Sequence, residues 1–238
     1  MFTEHQLMVR HGSFRLPWRT LLLTLVAIGI YWLLGAAPEA WVFDRLAIAE
    51  GEWWRLITGH WVHSDGAHAL WDVGALMLLG FLFERQMGNQ LFSILLAASL
   101  AVDAWIWWGQ PSLAYYCGLS GILNALMAVG LLRLWQEMRH PLILLTGLGF
   151  AAKVVIELTG GQMLLSATAW PGVPGAHAVG LICGMLYTWI QMLIGRREKQ
   201  YEIIDYGCAA GTVCFGTGKR RGSRSRSDTD VSDVCRIR

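Results

Sequence analysis

One short segment of the chain carries residue types that suit nucleophilic catalysis. In Gly118-Leu119-Ser120-Gly121, the serine begins a long apolar run. If that run is a helix, its first backbone N–H groups have no helical partner, and together with the positive end of the helix dipole they can stabilise an oxyanion. A serine at a helix start is more often only a cap or a packing point. A nucleophile here needs a base.

The segment Gly175-Ala176-His177 supplies a candidate base at the start of the last apolar run. A neutral imidazole can accept the hydroxyl proton of a serine as that serine attacks a carbonyl carbon. If the two runs pack together, Ser120 and His177 form a two-member dyad. The sequence identifies no third carboxylate for this pair.

A third segment offers an oxyanion donor. His68 and Asp72 are four residues apart, so they share one face of a helix. His68 is the natural donor to place opposite Ser120, with Asp72 orienting it. The ligand types of a metal site are also present, in His60, His63, His68, Asp72 and His177. This alternative is weaker, because no His-Glu-x-x-His motif occurs and a metal site leaves the Gly-Leu-Ser-Gly element unexplained.

The composition indicates that these segments lie in a membrane protein. Of the 238 residues, 55% are hydrophobic and only 15% are charged, and the mean hydropathy is +0.43. Soluble domains carry about 25% charged residues. The net charge of +2 comes from the C-terminal region, so the rest of the chain has no basic field that would favour nucleic acid. We expect contact with the lipid bilayer and none with nucleic acid.

Six apolar stretches are long enough to cross about 30 Å of hydrocarbon. Because the bilayer core holds no water to satisfy backbone polar groups, each stretch must be a helix. The predicted fold is therefore an all-α polytopic membrane protein, a bundle of six transmembrane helices. The first stretch has an alternative interpretation as a signal peptide, but it is long for that role. The predicted spans are 18–35, 67–83, 91–108, 119–135, 141–158 and 175–195.

The order of the spans explains how distant residues could meet. Because inner and outer helix ends alternate along the chain, His68, Ser120 and His177 are expected at one depth near the outer face. Small residues spaced four apart let two membrane helices approach closely. One such face borders His177 and is formed by Ala176, Gly180 and Gly184. The other follows Ser120 and is formed by Gly121, Ala125 and Ala128.

The distribution of Lys and Arg predicts the orientation. These residues concentrate before the first span, after the second, between the fourth and fifth, and after the sixth. By the positive-inside rule, both termini are then cytoplasmic. We expect a cytoplasmic N-terminal segment at 1–17, a membrane domain at 18–195 and a disordered cytoplasmic tail at 196–238, rich in Gly, Ser, Arg and Asp.

The order of these motifs resembles the rhomboid family of intramembrane serine proteases. The opening Trp-Trp-Arg-Leu-Ile-Thr-Gly-His and the compact six-span body are similar, more specifically, to the bacterial rhombosortase subgroup. That subgroup is associated with secreted or surface proteins bearing C-terminal Gly-Gly sorting tails. The residues that carry the resemblance are Trp54-Arg55 with Thr58, His63, His68 and position 72, Glu84 with Gly88, Gly118-Leu119-Ser120-Gly121, and Ala176-His177 with Gly180 and Gly184.

The resemblance implies roles for the matching residues. Ser120 would be the nucleophile and His177 the general base, with His68 and the Ser120 backbone N–H in the oxyanion hole beside Gly118. His63 would help to hold water near the site, and Glu84 would be structural. No metal or organic cofactor is implied. The implied substrates are membrane-anchored proteins with a transmembrane segment, cleaved at the bacterial inner membrane.

Two positions depart from the family pattern. Asp72 stands where Asn is usual, and an ionised Asp72 would repel an oxyanion. It can help if it is protonated, which burial favours, or if it holds His68 as a charged donor. Asn124 stands where an aromatic residue often stacks on the base, and we expect it to hydrogen-bond the His177 ring. Asp72 keeps an alternative open, a catalytically inactive rhomboid-like protein that binds membrane helices, although the presence of both Ser120 and His177 favours the enzyme.

Overall fold

The computed structural model describes residues 16–209 except 162 and 165–167, and for 196–209 it describes the backbone alone. The chain forms two compact units that divide between Leu193 and Ile194, and the site lies in the first. A short antiparallel ladder pairs Phe43 with Tyr116 and Asp44 with Tyr115. In chain order the elements are α1 (Trp18–Leu34), β1 (Phe43–Asp44), α2 (Arg45–Ala49), α3 (Arg55–Thr58), α4 (Gly66–Met87), α5 (Gln90–Ala104) with a π-helical turn (Trp105–Gly109), β2 (Tyr115–Tyr116), α6 (Ser120–Met138), α7 (Pro141–Gly160) and α8 (Pro174–Ala209).

The described helices have the character of a membrane bundle. Four segments within them have the length and apolarity of membrane spans, namely Gly66–Met87, Gln90–Gly109, Pro141–Gly160 and Pro174–Gly195. Helix α1 is apolar but has 17 residues, and α6 has 19. The mostly helical class is thus confirmed, while a total of six spans stays a prediction. Helix α8 continues to Ala209, past the predicted end at 195, and the rest of the predicted tail, like residues 1–15, lies outside the described residues.

Large apolar side chains cover the outward faces of these helices. Trp32, Leu33, Leu70 and Trp108 are between 74% and 86% exposed. In water such a surface would be unstable, but in a bilayer it faces hydrocarbon, which is as apolar as the side chains themselves. The arrangement agrees with a chain whose helices stand in lipid.

The core lies where α6 packs against α4 and α5. Leu76, Leu91, Ile94 and Leu126 are at most 1% exposed there. Close crossings depend on small residues: a side chain at Gly130 of α6 would overlap the ring of Phe83 on α4. Helix α6 is therefore surrounded by its neighbours, and its first residue, Ser120, is carried on a rigid element.

A buried carboxylate joins α1 to α4. Glu84 is 4% exposed; one of its oxygens accepts hydrogen bonds from the Thr20 backbone N–H at 2.7 Å and the Thr20 hydroxyl at 2.6 Å. Its other oxygen accepts from the Arg19 backbone N–H at 3.2 Å. Buried carboxylates need such partners, and both oxygens of this one accept from donors of α1. Its contacts are structural.

Two arginines organise the loop between α1 and α4. Arg55 is 6% exposed and donates to the Val42 carbonyl at 3.0 Å and to the Glu52 carboxylate at 2.6 Å. Arg45 donates to four carbonyl groups around the π-helical turn, those of Ile106, Trp107, Gln110 and Leu113. The loop is thereby held against the segment that leads into α6.

Asp65 caps the N-terminus of α4. Its carboxylate accepts from the His68 backbone N–H at 2.9 Å and from the Ala169 backbone N–H at 2.6 Å. Burial opposes the charge, but these N–H donors outweigh it and lower the pKa of Asp65 to about 2. We expect Asp65→Ala to cost about 1 kcal/mol of stability at pH 7. Because the folded pKa lies below the unfolded value, this contribution is lost as the pH falls from about 4 towards 2. Thermal unfolding in detergent at both pH values measures it; an equal difference at both would contradict the assignment.

Candidate active site

Gly118 brings the segment before α6 against α4. Its φ is +112°, a conformation that L side chains rarely adopt, and its N–H donates to the Gly59 carbonyl at 3.0 Å. A Cβ at this position would lie 2.5 Å from Nε2 of His68 and 3.0 Å from Oδ2 of Asp72. Glycine is therefore required twice, by the backbone conformation and by the closeness of the two side chains.

Ser120 is the first residue of α6 and is partly buried. It lines a cavity of about 280 Å³, which is formed by α4, α6, α7, α8 and the residues before α8. The polar side chains on this cavity include His68, Asp72, Asn124, Lys153 and His177. Polar side chains from four helices therefore face one cavity.

Helices α6 and α8 meet through their small residues. A Cβ at Gly180 would overlap the carbonyl oxygen of Gly121, and one at Gly184 would lie 2.5 Å from the carbonyl oxygen of Ala125. At the same interface a Cβ at Gly121 would lie 3.2 Å from the Ala176 carbonyl oxygen. This close approach brings the residue after Ala176, His177, to the cavity that Ser120 lines.

The His177 ring is 2% exposed and is held from one side. Its Nδ1 lies 2.8 Å from Oε2 of Glu157. A carboxylate can only accept, so Nδ1 carries the proton and Nε2 is left with a lone pair. Nε2 has no hydrogen-bond partner among the described residues, Ser120 included. Catalytic hydrogen bonds are often long before substrate binds, and this Nε2 is in the state that a general base requires.

Asp72 lies beside the segment that leads into Ser120. Its Oδ2 accepts from the Leu119 backbone N–H at 2.7 Å and lies 3.3 Å from Nε2 of His68 and 3.4 Å from Nε2 of His63. The opposite nitrogen of His68, Nδ1, is 3.0 Å from the Ser64 hydroxyl. One carboxylate oxygen thus accepts from the main chain beside Ser120 and contacts two imidazoles.

Asn124 and His63 are two further predicted neighbours of the site, and Asn124 has a different partner from the one expected. Asn124 does not hydrogen-bond His177; its Nδ2 donates to the Ser120 carbonyl one turn back at 2.7 Å, because that acceptor is within reach on its own helix. His63 is fully buried and packs edge-on against His68 with 5.2 Å between ring centroids. Neither of its ring nitrogens has a hydrogen-bond partner within the described part of the chain.

Glu157 is a residue for which the sequence predicted no role in the site. It is 1% exposed in α7, and Lys153, one turn earlier on the same helix, lies 3.0 Å from its Oε1. The only sequence signal was the presence of two ionisable residues in an apolar helix, which is costly unless they have a function or partners. A spacing of four residues permits their contact along the helix, but nothing in the sequence specifies the contact of Glu157 with His177.

A second buried pair lies outside the cavity. Nε2 of His60 is 3.1 Å from Oδ1 of Asp103, and the imidazole is 1% exposed. This contact gives the buried His60 ring a partner outside the cavity. Within the ranges that the structure describes, no group of three His, Cys, Asp or Glu residues could hold a metal ion.

Known proteins are similar in sequence to most of this chain. Residues 50–193 match the Rhomboid domain. The chain is 25% identical to the rhomboid protease GlpG of Klebsiella pneumoniae over 194 residues, which cover 80% of this chain and 68% of that protein. It is 26% identical to the putative rhomboid protease YdcA of Bacillus subtilis over 165 residues, 66% of this chain and 75% of YdcA. It is 31% identical to the rhomboid protease GluP of Bacillus subtilis over 153 residues, 58% of this chain and 30% of GluP.

These relatives favour the hydrolase over the inactive helix-binding protein and over the metal protein. They do not single out the rhombosortase subgroup. The domain match includes every candidate site residue, from His63 to His177, and four segments of the bundle are long and apolar enough to span a membrane. The chain therefore belongs to the rhomboid family of intramembrane serine proteases.

Proposed function

We propose that Ser120 is the nucleophile and His177 the general base of this protease. The observation that carries the proposal is the shared cavity, in which His177 presents an unpartnered Nε2 and Ser120 lies at a helix N-terminus. Ser120 Oγ attacks the substrate carbonyl carbon and its proton passes to Nε2. His177 then protonates the leaving amine, and water hydrolyses the acyl-enzyme by the reverse sequence.

The oxyanion is held, in this proposal, by main-chain and imidazole donors. The Ser120 backbone N–H has no helical acceptor, and His68 faces the same cavity from α4. Because Gly118 has no side chain, it leaves room for the Ser120 N–H and the His68 ring to face the oxyanion. The buried His63 would hold the hydrolytic water: among the described residues its Nδ1 has no hydrogen-bond partner, and its Nε2 has only the 3.4 Å contact with Asp72.

The substrates we propose are transmembrane segments of membrane-anchored proteins. The bundle would cross the bilayer six times with both termini in the cytoplasm, through the inner membrane of a bacterium, and the cavity would open near the outer face. A substrate helix must unwind to present a peptide bond, which is least costly near the interface, where water satisfies the backbone. The family resemblance of the Trp-Trp-Arg segment favours C-terminal Gly-Gly sorting tails as the processed substrates.

A fluorophosphonate probe tests the chemistry directly. Purified protein in detergent is expected to react covalently, because the probe forms a bond only to an activated serine, and Ser120→Ala is expected to lose all labelling. Ser99, in α5 and bonded to its own helix at 2.9 Å, gives the matched control: Ser99→Ala should label like the wild type. An unlabelled wild type, or labelling that persists in Ser120→Ala, would contradict the proposal.

The substrate assignment needs a separate experiment. The chain is co-expressed with a secreted protein that carries a C-terminal Gly-Gly sorting tail, and processing of that tail is followed by mass spectrometry. We expect processing with the wild type and none with Ser120→Ala or His177→Ala. Equal processing by all three would remove the sorting-tail assignment while leaving the protease chemistry intact.

Asp72→Asn is expected to raise the rate of acylation about tenfold, since one oxyanion-hole donor is typically worth 10²- to 10³-fold. The amide oxygen can still accept from Leu119, while the amide nitrogen becomes a donor in place of a negative charge. Single-turnover labelling measures the rate, and Asp103→Asn, a buried acid outside the cavity, is the control. A slower Asp72→Asn would show instead that the carboxylate works by keeping His68 charged.

A further inference from the structure

We propose that Glu157 is a positioning residue for His177, which makes the site a Ser120–His177–Glu157 triad rather than a dyad. The inference rests on the proposed roles of Ser120 and His177. Glu157 is 1% exposed on an apolar helix, where a carboxylate is expensive unless it is paired and used. It contributes nothing to the cavity wall itself, because the side chains that reach the cavity from α7 are Phe150 and Lys153.

The first step of the argument is the tautomer of His177. The 2.8 Å contact joins Nδ1 to Oε2, and an ionised carboxylate offers no proton, so the imidazole must donate. That fixes the lone pair on Nε2. An imidazole with its proton on Nε2 could not accept the Ser120 hydroxyl proton, so Glu157 selects the reactive form.

The second step is the orientation of the carboxylate. Its other oxygen, Oε1, accepts from Nζ of Lys153 at 3.0 Å and from the Leu164 backbone N–H at 3.1 Å. Both partners are donors, so the Oε1 position must be an acceptor. Three hydrogen bonds therefore hold Glu157, and through it the plane of the His177 ring.

The third step concerns charge during the reaction. When Nε2 takes the serine proton, His177 becomes an imidazolium 2.8 Å from a carboxylate, which stabilises it without any proton passing to Glu157. The other charged groups that face His177 are Lys153, 3.5 Å from Nδ1 on α7, and Asp72 on α4. Lys153 has the same charge as the imidazolium, and Asp72 makes no hydrogen bond to the ring, so Glu157 is the group that contacts the ring with the opposite charge.

The two donors at Oε1 give a test that separates positioning from structure. In Glu157→Gln, the amide oxygen must face Lys153 and Leu164, so the amide NH₂ faces Nδ1 and donates to it. The proton of the imidazole then moves to Nε2, and the base is lost. Glu157→Ala leaves both tautomers available. We therefore expect Gln to be the slower enzyme although it is the better structural replacement.

The experiment measures kcat, KM and unfolding temperature for wild type, Glu157→Gln, Glu157→Ala and Glu84→Gln. We expect kcat to fall by about 10³- to 10⁴-fold in Gln, the scale of a wrong tautomer in a serine triad, and by about 10²-fold in Ala, with KM little changed. Ala should unfold at a lower temperature than Gln. Glu84→Gln, a buried carboxylate with structural contacts, should lose stability and keep its kcat.

A Glu157→Gln variant that keeps the wild-type kcat, or one that is faster than Glu157→Ala, would overturn the triad alone. Loss of labelling in the wild type would overturn the triad and the proposed function together. Nitrogen NMR of histidine-labelled wild type gives a readout that does not depend on any Glu157 variant folding, with His177→Ala assigning the signal. The proton of His177 should be on Nδ1; a proton on Nε2 would refute the inference.

Discussion

Ser120→Ala and His177→Ala are each expected to lower kcat for cleavage of a transmembrane substrate by at least about 10³-fold, and the double variant is expected to be no slower than either single one. The reason is that nucleophile and base act as one unit: without the base the hydroxyl is a poor nucleophile, and without the hydroxyl the base has no proton to take. Losses that multiplied in the double variant would mean independent roles.

The measurement is cleavage of a fluorescent transmembrane substrate in proteoliposomes, with substrate binding followed separately. His140→Ala is the matched control for histidine removal, since His140 is exposed and only caps α7 through a 3.3 Å contact with the Leu142 N–H. Its kcat should equal that of the wild type. If His177→Ala kept comparable activity, another group would have to be the base.

Among glycine-to-alanine substitutions in the described part of the chain, Gly180→Ala is expected to reduce stability and activity most. Its Cβ would overlap the carbonyl oxygen of Gly121, a backbone atom that cannot turn aside, so α8 must move away from α6. Overpacking of this kind costs about 1–3 kcal/mol, and a shift of about 1 Å at the site can cost 10²-fold in rate. We expect both losses.

Unfolding temperature and kcat of Gly180→Ala in one detergent test this result. Gly147→Ala on α7 is the control, because no atom lies within 4 Å of the Cβ that it would add. Alanine there should leave the rate unchanged and favour the helix by up to about 1 kcal/mol. A Gly180→Ala protein with wild-type stability and rate would show that the two helices are not in contact in the membrane.

The parts of the site that sequence could predict are those encoded within one helix. The spacing of Gly180 and Gly184 defines a face on α8 regardless of its neighbours, and the structure places that face against α6. The spacing of His68 and Asp72 is likewise local. Helix positions followed from hydropathy, although their ends did not, as the continuation of α8 to Ala209 shows.

The parts that sequence could not predict depend on how one helix is rotated against another. The contact between Glu157 and His177 requires a particular face of α7 to meet α8, and nothing in either segment specifies that rotation. The same applies to Asp72 on α4, whose oxygen accepts a hydrogen bond from the Leu119 N–H directly before α6. Asn124 was assigned to the wrong partner because its own helix offers an acceptor at i−4.

The close approach of Gly180 to Gly121 makes the main chain itself the spacer between Ser120 and His177. No side chain lies between these two backbones, so their separation is set by the van der Waals radius of a carbonyl oxygen and does not vary with the size of nearby apolar residues. Substitutions in the aliphatic layer around Leu76 and Leu91 should therefore alter melting temperature far more than turnover. Changes to lipid-facing and core side chains should therefore leave the separation of Ser120 and His177 nearly constant.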